Sequence, residues 1–102
     1  MNMLNSFEEF LKTRQNDHPP EEWPKGLQAL WYDAKGNWNA SHDIAQDLPS
    51  ESGYWIHAYL HRKEGDQFNA NYWYRMANRP YPNLSLEQEF KLLVEYIIKA
   101  KL

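Results

Sequence analysis

The chain has 102 residues, a formal net charge of −3 and no cysteine. That length supplies one domain and one core, and the missing cysteine excludes disulfides, thiolate metal sites and a cysteine nucleophile. The basic residues are scattered, which excludes the basic footprint of a general nucleic-acid binder.

Five Trp, seven Tyr and four Phe give a small domain large areas to bury, and Tyr and Trp carry polar tips that need partners. The opening residues, MNMLNSFEEF, are amphipathic and acidic rather than a signal-peptide core. The longest apolar run, LLVEYII, is broken by Glu95 and is too short for a bilayer. No membrane association and a cytoplasmic location are therefore expected.

Taken in order, the residues predict six helical segments. The first is short: Ser6 and Glu9 form a capping box, and Leu4, Phe7, Phe10 and Leu11 make its apolar stripe. A proline-rich connector, NDHPPEEWP, follows and cannot be helix interior. The second helix opens near Pro24 and runs to Lys35, with Leu27, Leu30, Trp31 and Ala34 on one face and Gly36 as its stop. The third runs from about Trp38 to Leu48, burying Trp38, Ile44, Ala45 and Leu48. The fourth spans Gly53 to Glu64 and stops at Gly65. Asp66, with Asn69 three residues on, caps the fifth, which continues to about Asn78. Its apolar residues go nearly all the way round, which predicts a central helix. After a turn with Pro80 and Pro82, Ser85 and Gln88 open the last helix. There early Glu87 and Glu89 and late Lys99 and Lys101 suit the helix dipole.

No segment alternates with the period of an amphipathic strand. The expected architecture is all-α, five or six antiparallel helices in one domain over residues 1–102. An N-terminal helix and connector (1–23) precede one hairpin (24–48), a second hairpin (53–78) and a C-terminal helix (85–102).

The two hairpins are alike. Ala29 to Gly36 and Ala58 to Gly65 lie 29 residues apart, and WNASH from Trp38 matches FNANY from Phe68. In the second, Gly65, Asp66, Ala70, Tyr74, Ala77 and Pro82 are spaced as in the second helix of a tetratricopeptide-like repeat, which the hairpin resembles. The first departs from that pattern, with Ala40 one residue early and Ala45 where the aromatic belongs. The resemblance covers about half the chain. It implies helical hairpins with covering terminal helices, and a concave face lined by the first helix of each hairpin. The stretches WYDAKGNWNASH and HAYLHRKEGDQFNANYWYRMA also resemble a group of small bacterial proteins, which implies no particular activity.

Three stripes separate on the fourth helix. Ile56 and Leu60 form a core edge. Trp55, Tyr59 and Arg62 form an aromatic-basic row that the resemblance places on the concave face. With Lys63 and Asp33 they make the expected binding groove for a protein or peptide, because Trp, Tyr and Arg dominate recognition patches. Asp33 stands three residues before Gly36 as Arg62 does before Gly65, so an Asp33–Arg62 ion pair between hairpins is expected.

The third stripe, His57, His61 and Glu64, has two histidines on one face and a carboxylate one turn on. It is the alternative reading, a small metal-dependent enzyme. The glutamate that follows the first histidine in zinc hydrolase helices is replaced here by Ala58, so no cofactor and no catalytic residue is assigned. A third reading is a self-associating structural protein. Leu92 and Tyr96 sit apart from the core face of the last helix and suggest a homodimer through it unless the first helix covers them. Trp73 and Tyr74 are expected to be more buried than Trp55.

Overall fold

Most helices in this chain start where a side chain satisfies an unpaired backbone amide of the first turn. The computed structural model describes residues 6–101, so Leu4 of the expected first stripe lies outside the described residues. Helix α1 (Phe7–Lys12) is capped by Ser6, which accepts from the Glu9 amide, and passes into a single 3-10 turn, Thr13–Gln15. Helix α2 (Lys25–Ala34) starts after Pro24, α3 (Trp38–Ala45) is capped by Asn37, and α4 (Glu51–Lys63) by Ser50. Helix α5 (Gln67–Met76) is capped by Asp66. Helix α6 (Leu86–Lys101) opens on a reciprocal box, in which the Ser85 amide donates to Gln88 and the Gln88 amide to the Ser85 hydroxyl. Thus the chain is all-α, with no strand among the described residues.

Two expected boundaries shift. The third helix ends at Ala45 rather than Leu48, and the fourth begins at Glu51 because Ser50, not Gly53, starts it. Gly53 serves a different purpose. A Cβ there would collide with the Leu48 carbonyl and lie 2.5 Å from the Leu48 Cβ, so glycine lets α4 start tightly against the end of α3. Gly36 and Gly65 do stop their helices, each at positive φ, and Asn78 takes the same left-handed conformation after α5.

Helices α2 and α3 form one hairpin, α4 and α5 the other, and α6 lies against α1, α2 and α4. The centre is α4, where Trp55, Ile56, His57, Ala58, Tyr59 and Leu60 are buried in succession. This corrects the expectation for α5, which buries only Ala70 and Tyr74 and leaves Phe68 84% exposed. The composition of α5 looked central, but it packs chiefly on α4, and one neighbour can cover only one side of a helix. Trp73 is likewise only partly buried while Trp55 is 6% exposed, so the expected order of burial holds for Tyr74 alone.

Helix α1 docks Phe7 and Phe10 on Phe90, and Phe10 also stacks on Trp23. Full burial, as of Phe10, contributes about 1.5–3 kcal/mol. That docking leaves Leu92 and Tyr96 46% and 38% exposed. No helix among the described residues is long and apolar enough to cross a membrane.

Candidate functional site

Helix α4 touches a neighbour on every side, so its polar side chains are sorted into separate clusters. The aromatic-basic row does not line one groove. Trp55 and Tyr59 are both buried, and each spends its polar tip on a carboxylate: Trp55 Nε1 donates to Glu89 at 3.0 Å and the Tyr59 hydroxyl to Asp33 at 3.3 Å. Asp33, Tyr59 and Lys63 do meet in a groove of about 610 Å³ between α1, α2, α4 and α6, whereas Trp55 floors a different cleft.

The expected Asp33–Arg62 pair is not formed. Lys63 reaches Asp33 at 2.9 Å, and Arg62 turns to Glu89 at 2.7 Å. Position matching between hairpins assumes the same rotation of both first helices. Here the next side chain along, Lys63, about 100° further round the helix, is the one that faces Asp33.

Glu89 is the hub of a saturated network. Only 1% exposed, it accepts from Trp55 Nε1, the Tyr74 hydroxyl at 2.6 Å and Arg62, which also donates to the Leu84 carbonyl. Burial works against the Arg62 charge, but the hydrogen bond and charge of Glu89 outweigh it and raise the Arg62 pKa. Burial, then the hydrogen bond to Glu89, push Tyr74 up, so its hydroxyl stays a donor. The chemistry available here is fully used in holding α6 to α4.

The histidine stripe is different. His57 and His61, four apart on α4, share a face, and α3 brings His42 onto it. One ring nitrogen from each of the three lies within 4.8 Å of the others. The Nε2 atoms of His42 and His57 are 3.0 Å apart, and His61 Nδ1 meets Glu64 Oε2 at 2.8 Å. A carboxylate accepts, so this contact puts the His61 proton on Nδ1 and leaves Nε2 its lone pair. Two tryptophans hold the rings. Trp38 stacks on His42 with centroids 4.9 Å apart, and Trp73 on His57 at 4.1 Å. Trp38 is itself tied to the Leu60 carbonyl through Nε1.

Burial, followed by the charges of His42 and His61, lowers the His57 pKa to about 4. Burial and then His61 lower that of His42. At neutral pH both rings are therefore uncharged, the state a metal needs and a proton-carrying switch does not. Glu64 is bonded to His61 Nδ1, and the Glu64–His61 pair also lies close to Asp66, which is occupied in capping α5 through Asn69.

Sequence reasoning reached His57, His61 and Glu64 but missed His42 and the buried partner role of Glu89. His42 stands one turn after Trp38 on a helix joined by a short link to α4, and that adjacency was the available signal. Glu89 falls between Leu86 and Leu93 on the apolar face of α6, and an acid there signals a buried partner. No protein-family model, curated protein or solved structure matches this chain.

Proposed function

We propose that this protein binds one divalent transition-metal ion of the zinc class through His42, His57 and His61, with Glu64 orienting His61. The observation that carries the reading is the convergence of three imidazole nitrogens within 4.8 Å. Ligands 2.0–2.1 Å from a tetrahedral ion stand about 3.3 Å apart, and the 3.0 Å between the His42 and His57 Nε2 atoms is within a small ring movement of that. Imidazole donors suit zinc, copper, nickel and cobalt, whereas calcium and magnesium require oxygen. The Glu64–His61 contact is the carboxylate–histidine pairing that accompanies such ligands.

Three neutral protein ligands leave a fourth position open, the arrangement of catalytic rather than structural zinc, and an ion held this way acidifies a bound water and polarises carbonyl or phosphoryl oxygens. The tetratricopeptide-like pair of hairpins is the scaffold on this reading, with α3 and α4 contributed by different hairpins so that the ion ties them together.

Titration of metal-free protein with cobalt(II) tests it. The expected result is one equivalent bound, with the visible absorption of a tetrahedral ion and quenching of the tryptophan emission, because Trp38 and Trp73 stack on two of the ligands. His42→Ala should abolish uptake, and Glu64→Gln should weaken it about 10–100-fold. Failure of the wild-type protein to take up cobalt(II) or zinc, or undiminished uptake by His42→Ala, refutes the assignment.

A further inference from the structure

The turn between α5 and α6 carries a cation with no counter-ion among the described residues. The Arg79 guanidinium lies over the Trp55 ring, 3.4 Å from its centroid, and 5.2 Å from that of Tyr96. Stacking uses the flat face of the group and none of its five N–H donors. No hydrogen bond or ion pair takes them up among the described residues, whose three salt bridges all lie elsewhere. Arg62, the nearer comparison, spends its donors on Glu89 and the Leu84 carbonyl.

Arg79 lies in a cleft of about 420 Å³ between residues 79–84 and the flank of α6. The cleft is held in shape from beneath. Trp55 is fixed through Glu89, Arg62 fastens Leu84, and Tyr81 packs edge-on against Tyr74 at 5.2 Å. Around the cleft stand Tyr81, Leu84, Leu92 and Tyr96, between 36% and 46% exposed, which together make up more than half of the exposed large apolar side chains.

From this arrangement we propose a second binding site, in which Arg79 receives the carboxylate of an acidic side chain within a protein segment lying across residues 79–84 and α6. A planar fork held on an aromatic platform matches the two oxygens of a carboxylate. A fixed, half-buried Arg beside Tyr and Leu has the composition of an interface hot spot, and its rigidity reduces the ordering cost of binding. The apolar residues flank Arg79 on two sides, Tyr81 and Leu84 on the turn and Leu92 and Tyr96 on α6. A chain crossing the cleft can use both sides only if its acid is internal, which selects a side-chain carboxylate over a chain terminus. This surface is where an aromatic-basic patch exists in the folded protein, with Trp55 as its platform rather than its contact.

The test uses the full chain and three peptides. One is an N-acetylated, C-amidated hexapeptide with a central glutamate between leucine and tyrosine residues, the second its glutamine counterpart. The third has a free terminal carboxylate and no internal acid. Binding is read from the nitrogen-15 shift of the Arg79 Nε–H group and of the Trp55 indole. The glutamate peptide should bind at least about tenfold more tightly than the other two. Arg79→Gln, with unchanged circular dichroism, should erase the difference, and Arg79→Lys should restore part of it. Equal binding of the glutamate and glutamine peptides, no shift at Arg79, or discrimination that survives Arg79→Gln overturns the proposal. Preference for the terminal carboxylate overturns the side-chain assignment. Sedimentation of the wild type showing a dimer lost in Arg79→Gln would give the cleft to a second copy and overturn the partner assigned.

Discussion

Two polar clusters sit on nearly opposite sides of α4, and they solve the burial of charge and polarity in different ways. Around Glu89, one carboxylate meets Trp55, Tyr74 and Arg62, and every strong donor has a partner. Around His57, three imidazoles face one another, with one short contact between two of them and one nitrogen of each within 4.8 Å of the others. A saturated cluster holds a structure together, whereas a cluster of imidazoles presents nitrogens of the kind that ligate transition metals. The same helix thus supplies a structural anchor on one side and, on the function proposed above, the ligand site on the other. The difference lies in whether acids and donors or only bases were brought together.

The sharpest way to break this contrast is to remove the anchor. Glu89→Ala strands the Arg62 charge and two buried donors, and should cost about 3–5 kcal/mol in urea denaturation. A cost below about 1 kcal/mol would mean that the network is incidental.

Acid tests the other side. His57 has a folded pKa of about 4 against the ordinary 6.5, so between those values the unfolded chain binds the extra proton and stability must fall as pH falls. In metal-free protein the loss between pH 6.5 and 4 should approach about 3 kcal/mol, and His57→Gln should flatten that part of the profile. A profile unchanged by His57→Gln would show that the ring is not held neutral by its surroundings.

Zinc should act in the opposite direction at neutral pH. At a hundredfold excess over its dissociation constant it stabilises by about 2.7 kcal/mol, in wild type but not in His42→Ala. Equal thermal shifts in both proteins would place the ion elsewhere.

Smaller effects separate the two α4 residues that compete for Asp33. A double-mutant cycle on Asp33 and Lys63 should give a coupling of about 1 kcal/mol, and one on Asp33 and Arg62 a value near zero. The reverse pattern would restore the pairing expected from the hairpin repeat. Smallest of all, Phe68→Ser should change stability by no more than about 0.5 kcal/mol, because that ring is 84% exposed. A larger loss would mean that α5 is covered in solution.

The helices were legible in the sequence because their causes are local. Ser6, Asp66 and Ser85 satisfy amides three residues away, Gly36 and Gly65 adopt the positive φ that ends a helix, and the apolar spacing of α6 buries Leu93, Val94 and Ile97 as its period requires. The candidate site was half legible for the same reason. His57 and His61 share a stripe by helical period alone, and Glu64 reaches His61 within one turn.

What the sequence did not determine is the rotation and neighbourhood of each helix. Periodicity says which residues of α4 lie together but not which neighbour they face. That is decided by packing a single helix against four others at once, which puts Lys63 on Asp33, sends Arg62 to Glu89 and closes Trp55 beneath Arg79. The approach of α3, across a link in which Gly53 has no Cβ to meet Leu48, is what adds His42 to the other two histidines. Contacts between elements depend on the simultaneous fit of all their surfaces, and no local pattern encodes that fit.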